Sequence, residues 1–86
     1  MLSRGAVVVD VRTPEEFAVG ANHKSVNIPL DQLEGRLKEL DPEKPVLVCC
    51  ASGTRSAMAA QLLKRHGFKE VVNIGPWQNS LSGKGD

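Results

Sequence analysis

The sequence predicts an α/β fold in which a parallel central sheet is flanked by helices. Short apolar runs rich in β-branched residues recur along the chain, and such runs are typical of strands buried inside parallel sheets. Helical segments lie between them, so that the predicted order is β-α-β-α-β-α-β. With 86 residues the chain has room for one domain. We expect this domain to span residues 1–79 and a flexible tail, rich in Ser and Gly, to follow over residues 80–86.

The first strand and helix are predicted near the start of the chain. Ala6–Val9 is a short apolar run that predicts the strand. Thr13 predicts the N-cap of the helix, with Pro14 at the first helical position and Glu16 completing a capping box. We expect the helix to end near Gly20 in the left-handed conformation that glycine adopts readily at helix ends.

The second strand and helix follow. Ser25–Ile28 predicts a strand, which Pro29 terminates. Asp31 predicts the cap of a helix whose apolar face is a single stripe of leucines. The leucines are spaced by three, four and three residues and are Leu30, Leu33, Leu37 and Leu40.

The third strand is the most clearly marked in the sequence. It is predicted over Val46–Cys49, which is apolar throughout. A third helix is predicted from about Thr54, with Gly67 after its last turn as a C-cap. Val71–Ile74 predicts the last strand, and Gly75-Pro76 predicts a turn away from it.

Composition and charge narrow the class of function. The formal net charge is +1 and 41% of the residues are apolar, which favours a globular protein without a nucleic-acid or membrane surface. No apolar run approaches the ~20 residues that a membrane span needs, and the first residues lack a signal-peptide core. The two cysteines, Cys49 and Cys50, are neighbours, which rarely bridge. We therefore expect a cytoplasmic protein with reduced thiols, as a monomer or weak dimer.

Cys50 begins a loop that joins the third strand to the third helix. The four residues between Cys50 and Arg55 are all small, namely Ala51, Ser52, Gly53 and Thr54. Such a loop at a helix N-terminus lets backbone N–H groups converge on an anion. These groups and Arg55 would stabilise a thiolate, so we expect Cys50 to have a lowered pKa and to act as a nucleophile. Cys49 faces the other side of the strand and is expected to pack in the core.

This loop resembles the active-site loop of the rhodanese family, whose pattern Cys-x-x-Gly-x-Arg is present over Cys50–Arg55. Three further segments resemble family motifs in the same order, namely Asp10–Phe17, Val26–Pro29 and Asn73–Trp77. The similarity therefore covers nearly the whole chain. Two departures are visible: the basic residue that often follows the family's nucleophile is here the neutral Ala51, and the family's first helix and strand are missing or reduced to Met1–Gly5.

The resemblance implies a sulfurtransferase that works through a persulfide. The Cys50 thiolate would take the outer sulfur of thiosulfate or of another persulfide donor and pass it to cyanide or to a thiol. The substrate cradle would be the backbone of Ala51, Ser52, Gly53, Thr54 and Arg55, with the Arg55 side chain tying the loop closed. The resemblance implies no metal or organic cofactor, and the spacing of the cysteines, His23 and His66 does not match a metal site.

Asp10 and Arg12 flank the end of the first strand and are candidates for the rim of the active-site pocket. The alternative is structural support, through an ion pair with Glu15 or Glu16 that holds the first helix in place. Trp77 is interpreted as a core or rim aromatic, with a place in the lining of the active-site pocket as the alternative.

Two other functions stay open from the sequence. Cysteine phosphatases and arsenate reductases also attack an oxyanion from a Cys…Arg loop, but their loops generally hold five intervening residues and this loop holds four. The shorter ring suits a sulfur atom better than a tetrahedral phosphate and favours sulfur transfer. The other alternative is a non-catalytic binding or regulatory module, against which the intact Cys50 and Arg55 argue.

Overall fold

Strands and helices alternate along the chain, as a computed structural model of residues 5–81 shows. The strands are β1 (Val7–Asp10), β2 (Val26–Asn27), β3 (Val46–Cys50) and β4 (Val71–Pro76). The helices are α1 (Pro14–Val19), α2 (Leu30–Leu33) with a 3₁₀ segment after it (Glu34–Glu39), α3 (Thr54–Arg65) and a last 3₁₀ turn (Trp77–Leu81). The four strands form one parallel sheet in the order β2-β1-β3-β4. The predicted α/β class with a parallel central sheet is confirmed.

The two chain ends are only partly described. The reduced segment expected at Met1–Gly5 lies outside the described residues except for Gly5. Of the expected C-terminal tail, the structure describes Ser80 and Leu81, both in the last 3₁₀ turn, and the remainder lies outside the described residues. The Ser80 hydroxyl donates a hydrogen bond to the Trp77 carbonyl oxygen at 2.6 Å. Ser80 is thus part of the hydrogen-bonded turn.

Both ends of α1 lie where the sequence predicts them, but the backbone conformation at the C-terminal end differs from the expectation. Thr13 Oγ1 accepts a hydrogen bond from the Glu16 N–H at 3.2 Å, and Glu16 Oε1 accepts one from the Thr13 N–H at 2.9 Å. The capping box is therefore confirmed, with Pro14 at its predicted place. The left-handed Gly20 is wrong, because this residue is extended with φ −176°. The chain leaves α1 in an extended direction, in which the Gly20 carbonyl accepts a hydrogen bond from Arg12 at 2.8 Å.

The second helix is shorter than the leucine stripe predicts. It begins after Pro29 rather than at a cap formed by Asp31, which lies inside the first turn. The helix tightens into the 3₁₀ segment, and Arg36 has non-helical angles (φ −120°, ψ 16°). Gly35, which lies in the middle of the predicted helix, lowers helical propensity there. The stripe still faces the core, since Leu33 and Leu40 are buried and Leu30 and Leu37 pack against them.

Strand β4 runs further than predicted. Instead of turning away after Ile74, it continues through Gly75 and Pro76. The pairing with β3 shifts between Val48 and Cys49, so that Ile74 is the extra residue of a bulge. β4 is an edge strand, so no strand in the described part of the chain lies on its outer side to accept a hydrogen bond. Pro76, which has no N–H to donate, is therefore tolerated there.

The core lies on both faces of the sheet. The larger cluster includes Val48, Cys50 and Leu63 and is covered by α2 and α3. The smaller cluster on the other face includes Leu47 and Cys49, with Trp77 packed against it. The expected opposite orientation of the two cysteines is confirmed, because alternate residues of β3 face opposite sides of the sheet. The packing of Trp77 against the smaller cluster agrees with its interpretation as a core or rim aromatic.

Asp10 and Arg12 form a buried ion pair at the end of β1. The Arg12 guanidinium donates to both carboxylate oxygens of Asp10, with Nε at 2.9 Å from Oδ1 and Nη2 at 2.7 Å from Oδ2. Nη2 also donates to the Gly20 carbonyl at 2.8 Å, and the Trp77 ring lies 4.9 Å from the guanidinium carbon. The expected ion pair of these residues with Glu15 or Glu16 is wrong. Asp10 is the carboxylate that pairs with Arg12. The contacts of Arg12 with α1 and its C-cap are hydrogen bonds to the carbonyl oxygens of Glu16 and Gly20.

Replacing Arg12 is expected to destabilise the whole domain. Arg12→Met leaves the carboxylate of Asp10, which is 0% exposed, without its partner, and an uncompensated buried charge costs about 3–5 kcal/mol. A domain of this size has a free energy of unfolding near the lower end of ~5–15 kcal/mol, so most of it would be lost in urea unfolding.

The matched control is Arg36→Met, which breaks the exposed ion pair between Arg36 and Glu39 at 2.8 Å. Exposed pairs of this spacing contribute about 0.3–0.5 kcal/mol. Equal losses in the two variants would contradict the structural importance of the buried pair.

Candidate active site

A tight loop connects β3 to α3. Cys50 is the last residue of β3 and Thr54 the first of α3, so that the backbone reverses within Ala51, Ser52 and Gly53. Gly53 has φ +106°, a conformation that side chains disfavour, and a Cβ there would lie 3.4 Å from the Gly75 Cα. The glycine therefore allows the N-terminus of α3 to fold back over the end of β3.

The sulfur of Cys50 is the point on which this loop converges. Cys50 Sγ accepts hydrogen bonds from the Gly53 N–H at 2.9 Å and from the Ser56 N–H at 3.4 Å. The Ser56 hydroxyl oxygen lies 3.5 Å from the sulfur. Burial by itself raises the pKa of Cys50, but the hydrogen bonds from Ser56, Gly53 and Ser52 outweigh it and bring the pKa below its ordinary value. The site thus favours a thiolate.

Cys49 is in the opposite situation. Its side chain is buried on the other face of the sheet, where desolvation and the negative charge of Asp10 raise the pKa of its thiol to about 12. A thiol of this pKa stays protonated at neutral pH and is a poor nucleophile. Cys49 therefore acts as a small core residue.

Donor groups remain unused around the loop. Within residues 5–81, no protein atom accepts a hydrogen bond from the N–H groups of Ala51, Thr54 or Arg55. Unsatisfied donors of this kind are expected in the first turn of a helix, where they can bind an anion. The Ser52 hydroxyl donates to the Thr54 hydroxyl oxygen at 3.4 Å, which links the two ends of the loop.

Arg55 makes a contact that the sequence did not reveal. Its guanidinium forms a bidentate ion pair with Glu16 of α1, with Nη1 at 2.7 Å from Oε1 and Nη2 at 3.0 Å from Oε2. The hydrogen bonds to Glu16 are the main reason that the pKa of Arg55 is raised, and a charge on Cys50 adds to it through space. The Arg55 side chain therefore connects the loop to α1 instead of closing the loop on itself.

Three residues of the site were not among the sequence candidates for it: Glu16, Ser56 and Asn73. The sequence assigned Glu16 to the capping box and, as an alternative, to an ion pair with Asp10 and Arg12, and neither assignment pointed to Arg55. Ser56 lies in the first turn of α3, three residues after Gly53, and residues at this spacing lie on the same face of a helix. This spacing was the signal in the sequence that Ser56 lies next to the loop. Asn73 pairs with Val48 in the sheet register, but only the parallel pairing of β4 with β3 reveals that it is near the loop.

Asp10 and Arg12 pair with each other, and Trp77 packs against the cluster on the face of the sheet opposite to Cys50. Near the loop, an apolar depression of about 270 Å³ is lined by Val11, Thr13, Pro29, Leu30, Asp31 and Arg55. His66 Nε2 lies 3.6 Å from a Glu34 carboxylate oxygen at the end of α3. Over residues 5–81, no three His, Cys, Asp or Glu side chains are grouped so that they could hold a metal ion. In the same range no helix has the length and apolar character needed to cross a membrane.

The fold and the site define an α/β domain with a cysteine at the base of a loop whose N–H groups converge on the sulfur. The family described as "Rhodanese-like domain" matches residues 1–75. The chain belongs to this family, as the resemblance in the sequence indicated.

Individual relatives agree with this assignment. "Putative sulfur carrier protein YrkF" of Bacillus subtilis is 39% identical over 77 residues, covering 90% of this chain and 42% of the relative. "Thiosulfate sulfurtransferase GlpE" of Ectopseudomonas mendocina is 38% identical over 72 residues, covering 84% and 66%. This chain spans about half the length of YrkF and of the B. subtilis "Uncharacterized protein YqhL", at 42% and 56%.

Solved structures show the same fold. A rhodanese-related protein from Thermoplasma volcanium has a TM-score of 0.80 at 33% identity, covering 98% of this chain and 82% of that one. The human single-domain sulfurtransferase TSTD1 has a TM-score of 0.77 at 28% identity, covering 96% and 88%. The four-stranded parallel sheet is therefore shared with single-domain members of the family.

Glu16→Gln is expected to change the acid dependence of stability. The hydrogen bond from Arg55 and those from Thr13 lower the pKa of Glu16 to about 2, whereas an unfolded glutamate has a pKa of about 4.3. The pair therefore stabilises the fold above pH ~4.3, and its contribution is lost as the pH falls toward 2. Glutamine keeps an oxygen that can accept from the Thr13 N–H, but it removes the charge and puts an NH₂ donor in place of one oxygen that accepts from Arg55. The variant therefore lacks the ion pair, and its loss of stability in this window should be smaller.

The measurement is the urea midpoint at several pH values between ~5 and ~2.5. Glu15→Gln, at an exposed position of the same turn, is the control and should keep the acid dependence of the unchanged protein. A Glu16→Gln protein with the same acid dependence as this control would show that the ion pair does not matter.

Proposed function

We propose that this domain is a rhodanese-type sulfurtransferase in which Cys50 carries a sulfane sulfur from thiosulfate or a persulfide donor to a thiol or to cyanide. The observation that supports this proposal is the position of the Cys50 sulfur, which accepts hydrogen bonds from the Gly53 and Ser56 N–H groups at the start of α3. A thiolate at this place is a nucleophile at neutral pH. A reduced, cytoplasmic compartment suits the two free thiols.

The first half of the proposed reaction forms the persulfide. The Cys50 thiolate attacks the outer sulfur of thiosulfate, the S–S bond of thiosulfate breaks, and sulfite leaves with the bonding electron pair. The negative charge then lies on the outer sulfur of the persulfide. The unused N–H groups of Ala51, Thr54 and Arg55 are the donors available to this charge.

The second half returns the thiolate. An acceptor thiolate or cyanide attacks the outer sulfur, the S–S bond of the persulfide breaks, and Cys50 leaves as a thiolate. The Gly53 and Ser56 N–H groups, which favour the resting thiolate, therefore also favour it as a leaving group. Sulfur transfer as the overall reaction is supported by relatives named as sulfurtransferases, such as the thiosulfate sulfurtransferase GlpE.

Incubation with thiosulfate is expected to add the mass of one sulfur atom to the protein, and cyanide or dithiothreitol should remove it. Cys50→Ser should abolish the adduct, whereas Cys49→Ser, the matched control in the core, should retain it. Intact-mass spectrometry measures both. An adduct that persists in Cys50→Ser and disappears in Cys49→Ser would show that the wrong cysteine was assigned. If neither thiosulfate nor a persulfide donor adds sulfur to the folded, unchanged protein, the non-catalytic binding module would be favoured instead.

The length of the loop separates sulfur transfer from the phosphatase alternative. Insertion of one glycine between Ser52 and Gly53 gives the five-residue spacing typical of the phosphatase-like loops. The Gly53 N–H now lies 2.9 Å from Cys50 Sγ, and stabilisation by such donors requires about 2.7–3.1 Å. Sulfur transfer from thiosulfate to cyanide should therefore fall by at least about tenfold, since a loss of ~1.4 kcal/mol of stabilisation has this effect.

Thermal unfolding of the insertion variant shows whether it is folded. Hydrolysis of an activated aryl phosphate is measured in parallel. A folded variant that retains full sulfur transfer would refute the argument from loop size.

A further inference from the structure

The Ser56 hydroxyl has one hydrogen and three acceptors within reach. Its oxygen lies 2.6 Å from Asn73 Oδ1, 3.0 Å from the Gly53 carbonyl oxygen and 3.5 Å from Cys50 Sγ. A serine hydroxyl donates one hydrogen bond and accepts up to two. The shortest distance places the hydrogen on the line to Asn73, which leaves the oxygen lone pairs free to accept from the Cys50 thiol.

Asn73 is held so that its oxygen faces Ser56. Its Oδ1 accepts a second hydrogen bond from the Gly75 N–H at 2.9 Å, and its Nδ2 donates to the Gly53 carbonyl at 3.3 Å. The amide therefore cannot turn its nitrogen toward Ser56 without losing both contacts. Its fixed orientation makes Asn73 an acceptor, and not a donor, for the serine.

The two protonation states of Cys50 require different arrangements of this chain of groups. In the thiol state, the S–H donates to Ser56 Oγ and the Ser56 hydroxyl donates to Asn73 Oδ1, so all donors are used. In the thiolate state the sulfur can only accept. The Ser56 hydrogen must then turn from Asn73 to the sulfur, while the proton lost by Cys50 passes to solvent.

We propose that Asn73 is a positioning residue that competes with the Cys50 sulfur for the Ser56 hydroxyl hydrogen and thereby sets the balance between thiol and thiolate. The competition for the hydrogen does not depend on the proposed function, but its role during sulfur transfer rests on that function. When an acceptor takes the outer sulfur, Cys50 leaves as a thiolate, and the Ser56 hydrogen turns toward it. When the persulfide is formed again, the inner sulfur loses its charge and the hydrogen returns to Asn73.

Arg55, Glu16 and Cys49, three ionisable groups around Cys50, have pKa values outside the range in which this balance is measured. Arg55 at the start of α3 has a raised pKa and is paired with Glu16, whose pKa is about 2. Cys49, the neighbour on β3, has a pKa of about 12. Asp10 at the end of β1 is bound to Arg12 by a buried ion pair. Between pH ~5 and ~10, a change of reactivity at the sulfur therefore reports on Cys50 itself.

The test is a double-mutant cycle on the pH dependence of Cys50 alkylation by iodoacetamide, in a Cys49→Ser background. Ser56→Ala removes a hydrogen bond to the thiolate, so the midpoint should rise by about one pH unit. Asn73→Ala removes the nearest acceptor of the Ser56 hydrogen and leaves the Gly53 carbonyl, at 3.0 Å, as the remaining competitor of the sulfur. The midpoint should therefore fall by ~0.5 unit when Ser56 is present. In the Ser56→Ala background, Asn73→Ala should cause no such fall, because no hydroxyl is left to redirect.

The sign of the coupling decides the proposal. A fall that occurs only when Ser56 is present supports it. Equal shifts in the two backgrounds, or a rise only when Ser56 is present, would overturn it and leave Asn73 as a brace for the loop. Val72→Ala, at the neighbouring position of β4, is the control and should leave the midpoint unchanged. Asn73→Leu, a residue of similar size, repeats the cycle should the alanine variant fail to fold.

Alkylation requires no sulfur donor, so this test is independent of the proposed sulfur transfer. A failed thiosulfate adduct with an intact coupling would overturn the proposed function alone. An intact adduct without coupling would overturn the role of Asn73 alone.

Discussion

Strand β3 is buried along its whole length, with β1 on one side and β4 on the other. Burial on both faces is the usual condition of a central strand in a parallel sheet, and it dictates where the chain can emerge. The strand emerges at Cys50, and α3 must begin within a few residues to cover the larger cluster of the core. This short crossing brings the first N–H groups of α3 onto the Cys50 sulfur. The same packing that stabilises the domain therefore places around the Cys50 sulfur the hydrogen-bond donors that lower its pKa.

Helix α1 has no fully buried residue, yet it is held at both ends by arginines from other elements. Arg12 of the segment after β1 donates to carbonyl oxygens of Glu16 and Gly20 toward the helix C-terminus, where positive charge is favoured. Arg55 of α3 pairs with the Glu16 carboxylate in the first turn. The first of these arginines is buried with Asp10 and beneath Trp77, whereas the second is half-exposed. The position of α1 thus depends on charged contacts more than on apolar packing.

The negative charge on Cys50 is balanced mainly by hydrogen-bond dipoles. N–H groups carry no net charge and lose less hydration on burial than an ion does, so they suit a sulfur that is 0% exposed. Arg55 contributes through space, but Glu16 already neutralises its charge, and Ala51 adds none. A cradle without excess positive charge suits the single charge of the Cys50 persulfide, and it attracts a singly charged persulfide donor better than doubly charged thiosulfate. This balance is consistent with sulfur transfer as the proposed activity.

Local patterns were sufficient for features that depend on neighbouring residues. The capping box at Thr13, the start of α3 and the opposite orientation of the two cysteines follow from short-range geometry, and the Cys50–Arg55 loop could be recognised from its residues alone. The end of α1 near Gly20 was predicted, but the left-handed conformation of Gly20 was wrong, and the break in the second helix was missed.

Contacts between distant segments could not be read from the chain. Whether Arg12 pairs with Asp10 or Glu16, and whether Arg55 pairs with Glu16 or with its own loop, depends on which carboxylate the fold brings within about 3 Å. Asn73 reaches Ser56 only because β4 pairs in parallel with β3 in one particular register. The sequence by itself determined the alternation of strands and helices and singled out the Cys50–Arg55 loop, with Cys50 as its candidate nucleophile. The tertiary structure decided the partners of every charge and hydroxyl around that nucleophile, since hydrogen bonds and ion pairs require distances that only packing sets.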